Sequence, residues 1–324
     1  MNYLFTNIIG TFILDDHFKI IDQITFKTVQ DYLTKETSEQ KLTKKHPLTK
    51  PLPPEKLALA LNNFRNKKYH LEFYQKNLSL TKKAIRNSVT EDQLIIQAIA
   101  NINELDKTIN LLGKRLREWY SLHFPELSEK IDNHEKYAQF LLEKTRTELI
   151  KELNIDSEIM GADLDKTHLD EIKQLANQIL QLRDLRYKHE SYLHEVMQKY
   201  CPNILEMSGT TIGAKLIELA RGLKQLAILP ASTVQLLGAE KALFRHIKTG
   251  SRSPKYGVII NHPFIQNAPR DCKGKASRIL ADKITLCARL DYFHGEFKAL
   301  EYKQDLEEKL SQTKKKQPKN VQKN

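Results

Sequence analysis

The 324-residue chain is poor in the residues that break regular structure, with 11 glycines and 11 prolines. That scarcity excludes a collagen-like or generally disordered chain and favours helix over a turn-rich all-β fold. Cysteine is scarcer still: Cys201, Cys272 and Cys287, with no CxxC pair. An odd number without that spacing argues against a disulfide framework or a zinc knuckle and fits a reducing, intracellular setting. No apolar run approaches the roughly 18–20 residues that span a bilayer. The start, Met1 to Leu14, contains Asn2, Thr6, Asn7 and Thr11, lacks a basic flank and runs into Asp15-Asp16, so it makes a poor signal peptide. Catalytic signatures are missing too: there is no GxxxxGK[ST], no GxGxxG after a strand, no GxSxG and no HExxH. The eleven histidines do not cluster at metal-ligand spacing; His189 and His194 fall on different faces of a helix. The expectation is a chain without metal, cofactor or catalytic residue. Cys272, beside Lys273 but with no adjacent histidine, reads as an incidental surface thiol.

What the chain has is positive charge: 52 Lys plus Arg against 40 Asp plus Glu, a net +12. The excess is local. From Lys241 to Arg289 eleven basic residues face two acids, Asp271 and Asp282, whereas Glu126 to Tyr200 carries sixteen acids and eleven bases. Such asymmetry is a better sign of a polyanionic partner than the total. Single lysines usually do no more than solvate a helix, but +9 within one segment is hard to explain that way. Lys241, Arg245 and Lys248 recur at i, i+4 and i+7 and so share a helix face, and Lys275, Arg278 and, less ideally, Lys283 make a second basic row. Two basic faces flanking a Gly/Pro-rich loop suit structured RNA read by shape and backbone. Gly238 offers close backbone approach to a ligand. The end, residues 311–324, with five lysines, reads as a disordered basic tail.

Hydrophobic periodicity divides the rest. Residues 1–30 alternate apolar and polar around Leu4, Ile8, Phe12, Phe18, Ile20 and Phe26, with a turn at Asp15-Asp16-His17, as in a β-hairpin. A helix over Val29 to Thr37 follows, then a proline-rich loop from His46 to Pro54. A small α/β module of ~90 residues is marginal alone and relies on a partner. From about Thr90 helices dominate. One set of apolar positions (Leu105, Ile109, Leu112, Leu116, Trp119) ends before Pro125. A second (Ile172, Leu175, Ile179, Leu182, Leu193, Val196, Tyr200) keeps heptad spacing, with Arg186 and His189 as polar interruptions. An acidic turn over Asn154 to His168 would join them as antiparallel helices. Stripes of this kind fit ordinary intramolecular packing and a coiled-coil arm alike. Beyond Pro202 come shorter helices over 212–228, 233–248, 273–289 and up to Leu310.

Several runs resemble the Nop domain of box C/D ribonucleoprotein scaffold proteins. They are Gly209-Thr-Thr-Ile-Gly-Ala-Lys215, Leu229 through His246 (LPASTVQLLGAEKALFRH), Thr249-Gly250, Pro254-Lys-Tyr-Gly257 and Arg289-Leu-Asp-Tyr-Phe293. The likeness extends upstream through Arg117 to Leu127 (REWYSLHFPEL) and to Leu4 through Phe12, the last similar to the archaeal form. The resemblance implies a mainly α fold with a small N-terminal α/β domain, a long antiparallel coiled-coil arm and an all-helical Nop domain. Its modules would be residues 1–90, binding fibrillarin; 91–201, a coiled coil dimerising through Ile172, Leu175, Ile179, Leu182 and Leu193; 202–310, binding guide RNA and a kink-turn-binding ribosomal-protein-like subunit; and the tail.

Carried over by position, Gly238, Glu240, Lys241, Arg245, His246, Lys248, Thr249, Gly250, Lys255 and His262 would lie at that surface, with Arg270, Lys275 and Arg278 beside it. The particle 2′-O-methylates RNA, but S-adenosylmethionine and the chemistry would belong to fibrillarin, so this chain would be a non-enzymatic scaffold of archaeal, cytoplasmic type. After Pro269 this chain has Arg270-Asp271-Cys272 where many archaeal relatives carry tryptophan-bearing residues, which removes aromatic stacking there. Two other readings stand beside it: a splicing-type Nop protein acting without fibrillarin, and a structural coiled-coil protein with an incidental basic end.

Overall fold

The computed structural model describes residues 2–65, 67–155 and 159–315. The chain divides into two compact units, 1–90 and 91–324. The first unit opens with three strands where a two-stranded hairpin was expected: β1 (Asn2–Thr6), β2 (Gly10–Leu14) and β3 (Ile20–Thr25), with β2 antiparallel to both neighbours. The overlooked turn is made by Asn7, whose Oδ1 accepts from the amides of Ile9 (2.8 Å) and Gly10 (3.2 Å), an Asx turn that leaves no Gly-Pro signature. The turn at Asp15 forms as expected, its carboxylate accepting from the amides of His17 and Lys19.

The proline-rich stretch is not wholly a loop. Thr49–Pro51 forms β4, parallel to β1, and completes the order β3-β2-β1-β4. Proline is tolerated because β4 is an edge strand, paired on one side only. The helix expected over 29–37 is two, α1 (Val29–Leu33) and α2 (Glu36–Lys45). Helix also resumes well before Thr90, in α3 (Leu57–Asn62) and α4 (Lys67–Asn87). Phe5, Phe12 and Leu14 of the sheet and Ile9 of the turn pack with Ala60 and Phe64, the Phe12 and Phe64 rings 4.7 Å apart. The inner side of α4 adds Tyr69, Phe73 and Leu80 to this core, while Leu71, Tyr74, Leu78 and Ile85 on the same helix remain exposed.

The second unit starts with α5 (Glu91–Tyr120), followed by α6 (Pro125–Lys130), α7 (His134–Glu143), α8 (Arg146–Glu152) and α9 (Lys166–Tyr200). Pro125 does not end α5; it opens α6 at the first helical position, where its missing N–H costs nothing. The two long helices run antiparallel. Leu105, Ile109 and Leu116 late in α5 share a core with Ile172 and Ile179 early in α9, while Ile95, Ile99 and Ile102 share another with Leu193 and Met197. Trp119, expected in the seam, is 39% exposed, and the neighbouring Tyr120 turns inward instead. Arg186, a polar interruption of the heptads, reaches across with Nε 2.9 Å from Asp106 and also pairs with Glu190.

The heptad seam is therefore consumed inside the chain. Ile172 and Ile179 have no exposed surface and Leu193 has 1%, while Leu175 and Leu182 are half-buried against the same core. Of the five residues expected to dimerise the arm, Ile172, Leu175, Ile179 and Leu182 pack instead against α5 and α6–α8, and Leu193 against the start of α5 and the helices after Pro202. Helices α6–α8 occupy 125–152, ahead of the expected turn, and α9 begins at Lys166, within it.

The remaining helices are α10 (Pro202–Ser208), α11 (Thr210–Ala220), α12 (Leu223–Ile228), α13 (Ala231–Leu236), α14 (Glu240–Thr249), α15 (Pro263–Gln266), α16 (Lys273–Tyr292) and α17 (Ala299–Lys315), with a 3-10 turn at Val258–Asn261. The helix expected over 212–228 breaks at Arg221 and Gly222 (φ 64° and 131°), and Asp92 at the start of α5 accepts from the Leu223 amide at 3.1 Å. Ile95, Ile99, Ile102, Leu193 and Met197 lie in one core with α10–α13 and α15–α17, so residues 91–201 and 202–310 are continuous in packing. Buried Asp291 binds the end of α16 to the start of α10, accepting from the amides of Asn203 (3.1 Å) and Ile204 (2.8 Å) and from Asn203 Nδ2 (2.8 Å). Asn203 Oδ1 in turn accepts from the amides of Lys298 and Ala299, which sets the entry to α17. That helix runs to Lys315, so residues 311–315, expected in the tail, are helical; 316–324 lie outside the described residues. No helix among the described residues is long and apolar enough to cross a membrane.

Candidate nucleic-acid interface

The segment Ala231 to Arg278 folds into two helical faces joined by a tethered loop. The single helix expected over 233–248 bends between α13 and α14 at Gly238, whose φ is +86°. A β-carbon there would lie 2.4 Å from Val258 Cγ2, and the Gly238 amide donates to Glu240 Oε1 at 2.7 Å. This glycine is demanded by the turn and by packing on Val258, not by approach to a ligand, and Glu240 spends its carboxylate locally. Gly250 ends α14 in the left-handed region, φ +66°, its amide donating to His246 O at 2.9 Å. His246 Nδ1 bonds the Ser251 carbonyl, and Thr249 Oγ1 donates to Arg245 O at 2.8 Å.

The loop after Gly250 is held at its far end. The amides of Gly257 and Val258 donate to Gln235 O and Leu237 O, both at 2.8 Å, and Gln235 Nε2 donates to Lys255 O at 2.6 Å. A β-carbon at Gly257 would lie 1.9 Å from Leu237 O, so no other residue fits that approach. Lys255 Cδ lies 3.7 Å from where a β-carbon on Gly274 would be, which sets this lysine beside the start of α16.

The charges follow a clear division. Lys241, Arg245, Lys248, Lys255, Arg270, Lys275 and Arg278 are all exposed, and none forms an ion pair among the described residues. Lys283 departs from the expected second row. It is 9% exposed, sits 4.7 Å from the centre of the Tyr302 ring and is ion-paired with Asp305 of α17. Its cation is therefore unavailable to a partner. Arg252 and Lys273 belong to the same exposed or half-exposed basic surface and were not singled out.

His262 departs as well. As the cap of α15 its Nδ1 accepts from the Phe264 amide at 3.1 Å, and Nε2 bonds Met207 O at 3.1 Å, so the neutral ring carries its proton on Nε2. Burial, helped by the Lys303 charge, holds its pKa below the ordinary histidine value, although the bond to Met207 opposes this. Both ring nitrogens are spent on the fold. Cys272, expected at the surface, is 5% exposed.

Periodicity hid one feature. Phe244 and Ile247, three residues apart on α14, are 63% and 69% exposed, and no residue of α14 is buried. Their spacing marks a core stripe by any sequence rule; only the fold shows that this helix stands proud, presenting apolar side chains among unpaired cations. Among the described residues no group of His, Cys, Asp and Glu could hold a metal ion.

Residues 101–312 match the family described as "Nop: snoRNA binding domain, fibrillarin". An uncharacterized NOP5 family protein of Methanocaldococcus jannaschii is 39% identical over 281 residues, covering 82% of this chain and 68% of its own length. Nucleolar protein 56 of Caenorhabditis elegans is 38% identical over 248 residues, covering 68% of this chain and 50% of that protein, and the Schizosaccharomyces pombe protein of the same name is 40% identical over 222 residues, 62% and 45%. The chain thus spans about half the length of these nucleolar relatives. The crystal structure of a fibrillarin/Nop5p complex aligns with a TM-score of 0.45 at 23% identity, covering 95% of this chain and 99% of that one. On the extent of the family match and the identity to its archaeal member, this chain belongs to the Nop family.

Proposed function

We propose that this chain is a non-catalytic scaffold of a box C/D RNA-guided 2′-O-methylation particle. The observation that carries the reading is the surface of α14, the 250–257 loop and the start of α16, where seven exposed cations have no internal counter-charge. Protein anions elsewhere neutralise such groups, as Asp305 does Lys283 and Glu206 does Lys303. Here a polyanion supplies the missing charge, and structured RNA fits a surface built from two rigid faces and a pinned loop. Exposed Phe244 and Ile247 on the same helix give the kink-turn-binding subunit an apolar foothold beside the RNA.

The N-terminal unit holds fibrillarin, which brings S-adenosylmethionine and the methyl-transfer chemistry. Its unpartnered stripe of Leu71, Tyr74, Leu78 and Ile85 on α4 supports a partner-bound role for this unit. Pairing of two copies through the arm uses surface outside the buried seam; Leu111 and Leu122, 69% and 62% exposed, are apolar positions of that kind near the end of α5. The archaeal relative favours a cytoplasmic setting, the nucleolar relatives a nucleolar one.

Reconstitution with each subunit omitted in turn tests the proposal, reading gel shift and methylation together. Methylation is expected only when this chain, fibrillarin, guide RNA and the kink-turn binder are all present. Methyl transfer by the lone chain overturns the scaffold reading. Failure of the full chain to retain fibrillarin while it still assembles on kink-turn RNA favours the splicing-type alternative.

A further inference from the structure

A second feature lies at the other end of the arm, away from the basic face in sequence and in packing. A cavity of about 280 Å3 opens between the end of α5, the start of α8 and the start of α9. Leu141 and Leu169 contribute apolar wall; Tyr120, Lys144, Arg146 and Lys173 contribute hydrogen-bond donors, and Asp163 contributes one carboxylate.

Two of these groups keep one donor unpaired. Tyr120 is 5% exposed, yet its hydroxyl bonds nothing among the described residues. Arg146 has a buried Nε with no hydrogen-bond partner, although its other nitrogens reach Asp163 (2.8 Å) and the Gly161 carbonyl (3.2 Å). A buried donor left unmade, as at Arg146 Nε, is costly, and a ligand acceptor can meet it. Burial raises the Tyr120 pKa to about 12, so the phenol remains a neutral donor at physiological pH.

The charge balance favours an anion. Lys144 is answered by Glu152 and Arg146 by Asp163, while Lys173 forms no ion pair among the described residues. Asp163 is 99% exposed, so its pairing with Arg146 is a surface pair of small worth that an incoming anion can exchange. Phosphate matches a guanidinium edge in two parallel bonds. The cavity lies just below the range of roughly 300–1,000 Å3 typical of drug-sized sites, which limits the guest to about a nucleotide.

We propose that this cavity binds a nucleotide-sized phosphorylated ligand, its phosphate between Arg146, Tyr120 and Lys173 and its nucleoside against Leu141 and Leu169. The ligand is either a free nucleotide or one residue of an RNA strand. The two are separated by titrating the full chain with adenosine 5′-monophosphate and with single-stranded tetra-adenylate, with adenosine as the phosphate-free control. The Arg146 Nε–H resonance is the readout, because it reports on the orphaned donor itself.

At least one phosphorylated probe is expected to move this resonance saturably, and adenosine is not. Binding of the monophosphate alone identifies a free nucleotide, and binding of the tetranucleotide alone identifies an RNA strand. Lys173→Glu should weaken binding about tenfold, because it reverses the one unanswered charge. Asp163→Asn should tighten it several-fold by removing the competing carboxylate. Both residues are exposed, so neither variant threatens the fold. The Arg146 resonance reports on the cavity itself, which separates it from the proposed RNA face. Absence of a shift with both phosphorylated probes overturns the proposal, as does equal binding of adenosine, or affinity unaltered in both Lys173→Glu and Asp163→Asn.

Discussion

Replacing Lys241, Arg245 and Lys248 together by Gln isolates the charge of α14 from its structure. All three are exposed, share one helix face and form no ion pair among the described residues. Gln is nearly as good a helix former, so the thermal midpoint should hardly move. The binding effect follows from counterion release, in which each neutralised phosphate contributes about 0.9 to the slope of log K against log salt. Three lost contacts lower that slope by about 2.7, and between 50 and 200 mM salt this amounts to about fortyfold in affinity. Fluorescence anisotropy with a labelled kink-turn RNA across a salt series measures the slope directly. Lys283→Gln serves as the contrast. It removes one of the two lysines paired with Asp305, which keeps Lys309, so it lowers stability by about 1 kcal/mol, and it should leave the slope alone, because Lys283 is 9% exposed and paired. If the triple variant keeps the wild-type slope, or if Lys283→Gln changes it as much, the assignment of the RNA face to α14 is wrong.

Three further outcomes are expected. Ile179→Ala removes a fully buried side chain from the core between α5 and α9 and should cost about 2–5 kcal/mol by denaturant titration of the isolated chain. A negligible cost would mean the seam is not packed within one chain. Gly238→Ala places a β-carbon 2.4 Å from Val258 Cγ2 at φ +86° and should destabilise by about 1–3 kcal/mol. Pairing it with Val258→Ala should recover the steric part, and a Gly238→Ala protein as stable as wild type would refute the packing account. His262 is held neutral in the fold, with its pKa below the unfolded value of 6.5, so the unfolded chain binds the extra proton first. Its contribution to stability is complete above pH 6.5 and falls away as pH drops below it. His262→Gln should flatten that part of the stability–pH curve, and an unchanged curve would show that the titration lies elsewhere.

Helix in α5 and α9, the early hairpin turn at Asp15 and the clustering of cations after Lys241 could all be read from the chain itself, because periodicity, turn chemistry and charge are local properties. The turn at Asn7, the edge strand through Pro51 and the helix from Lys67 to Asn87 could not. Asn7 works through its side chain, β4 exists only because β1 offers it a partner, and α4 alternates half-buried Tyr69 and Phe73 with exposed Leu71 and Tyr74, which blurs its stripe.

The candidate interface divides in the same way. That Lys241, Arg245 and Lys248 share a face needs only the 3.6-residue period, and the family likeness needs only the order of residues around 229–257. Which basic residues are free was decided in three dimensions: α17 brings Asp305 to Lys283, the Met207 carbonyl accepts from His262 Nε2, and Val258 requires glycine at 238. The heptads of α9 declare that one face must leave water. Only tertiary packing shows that α5 covers Ile172 and Ile179, since burial of an apolar stripe is favourable against any complementary surface and the stripe itself carries no record of whose surface that is.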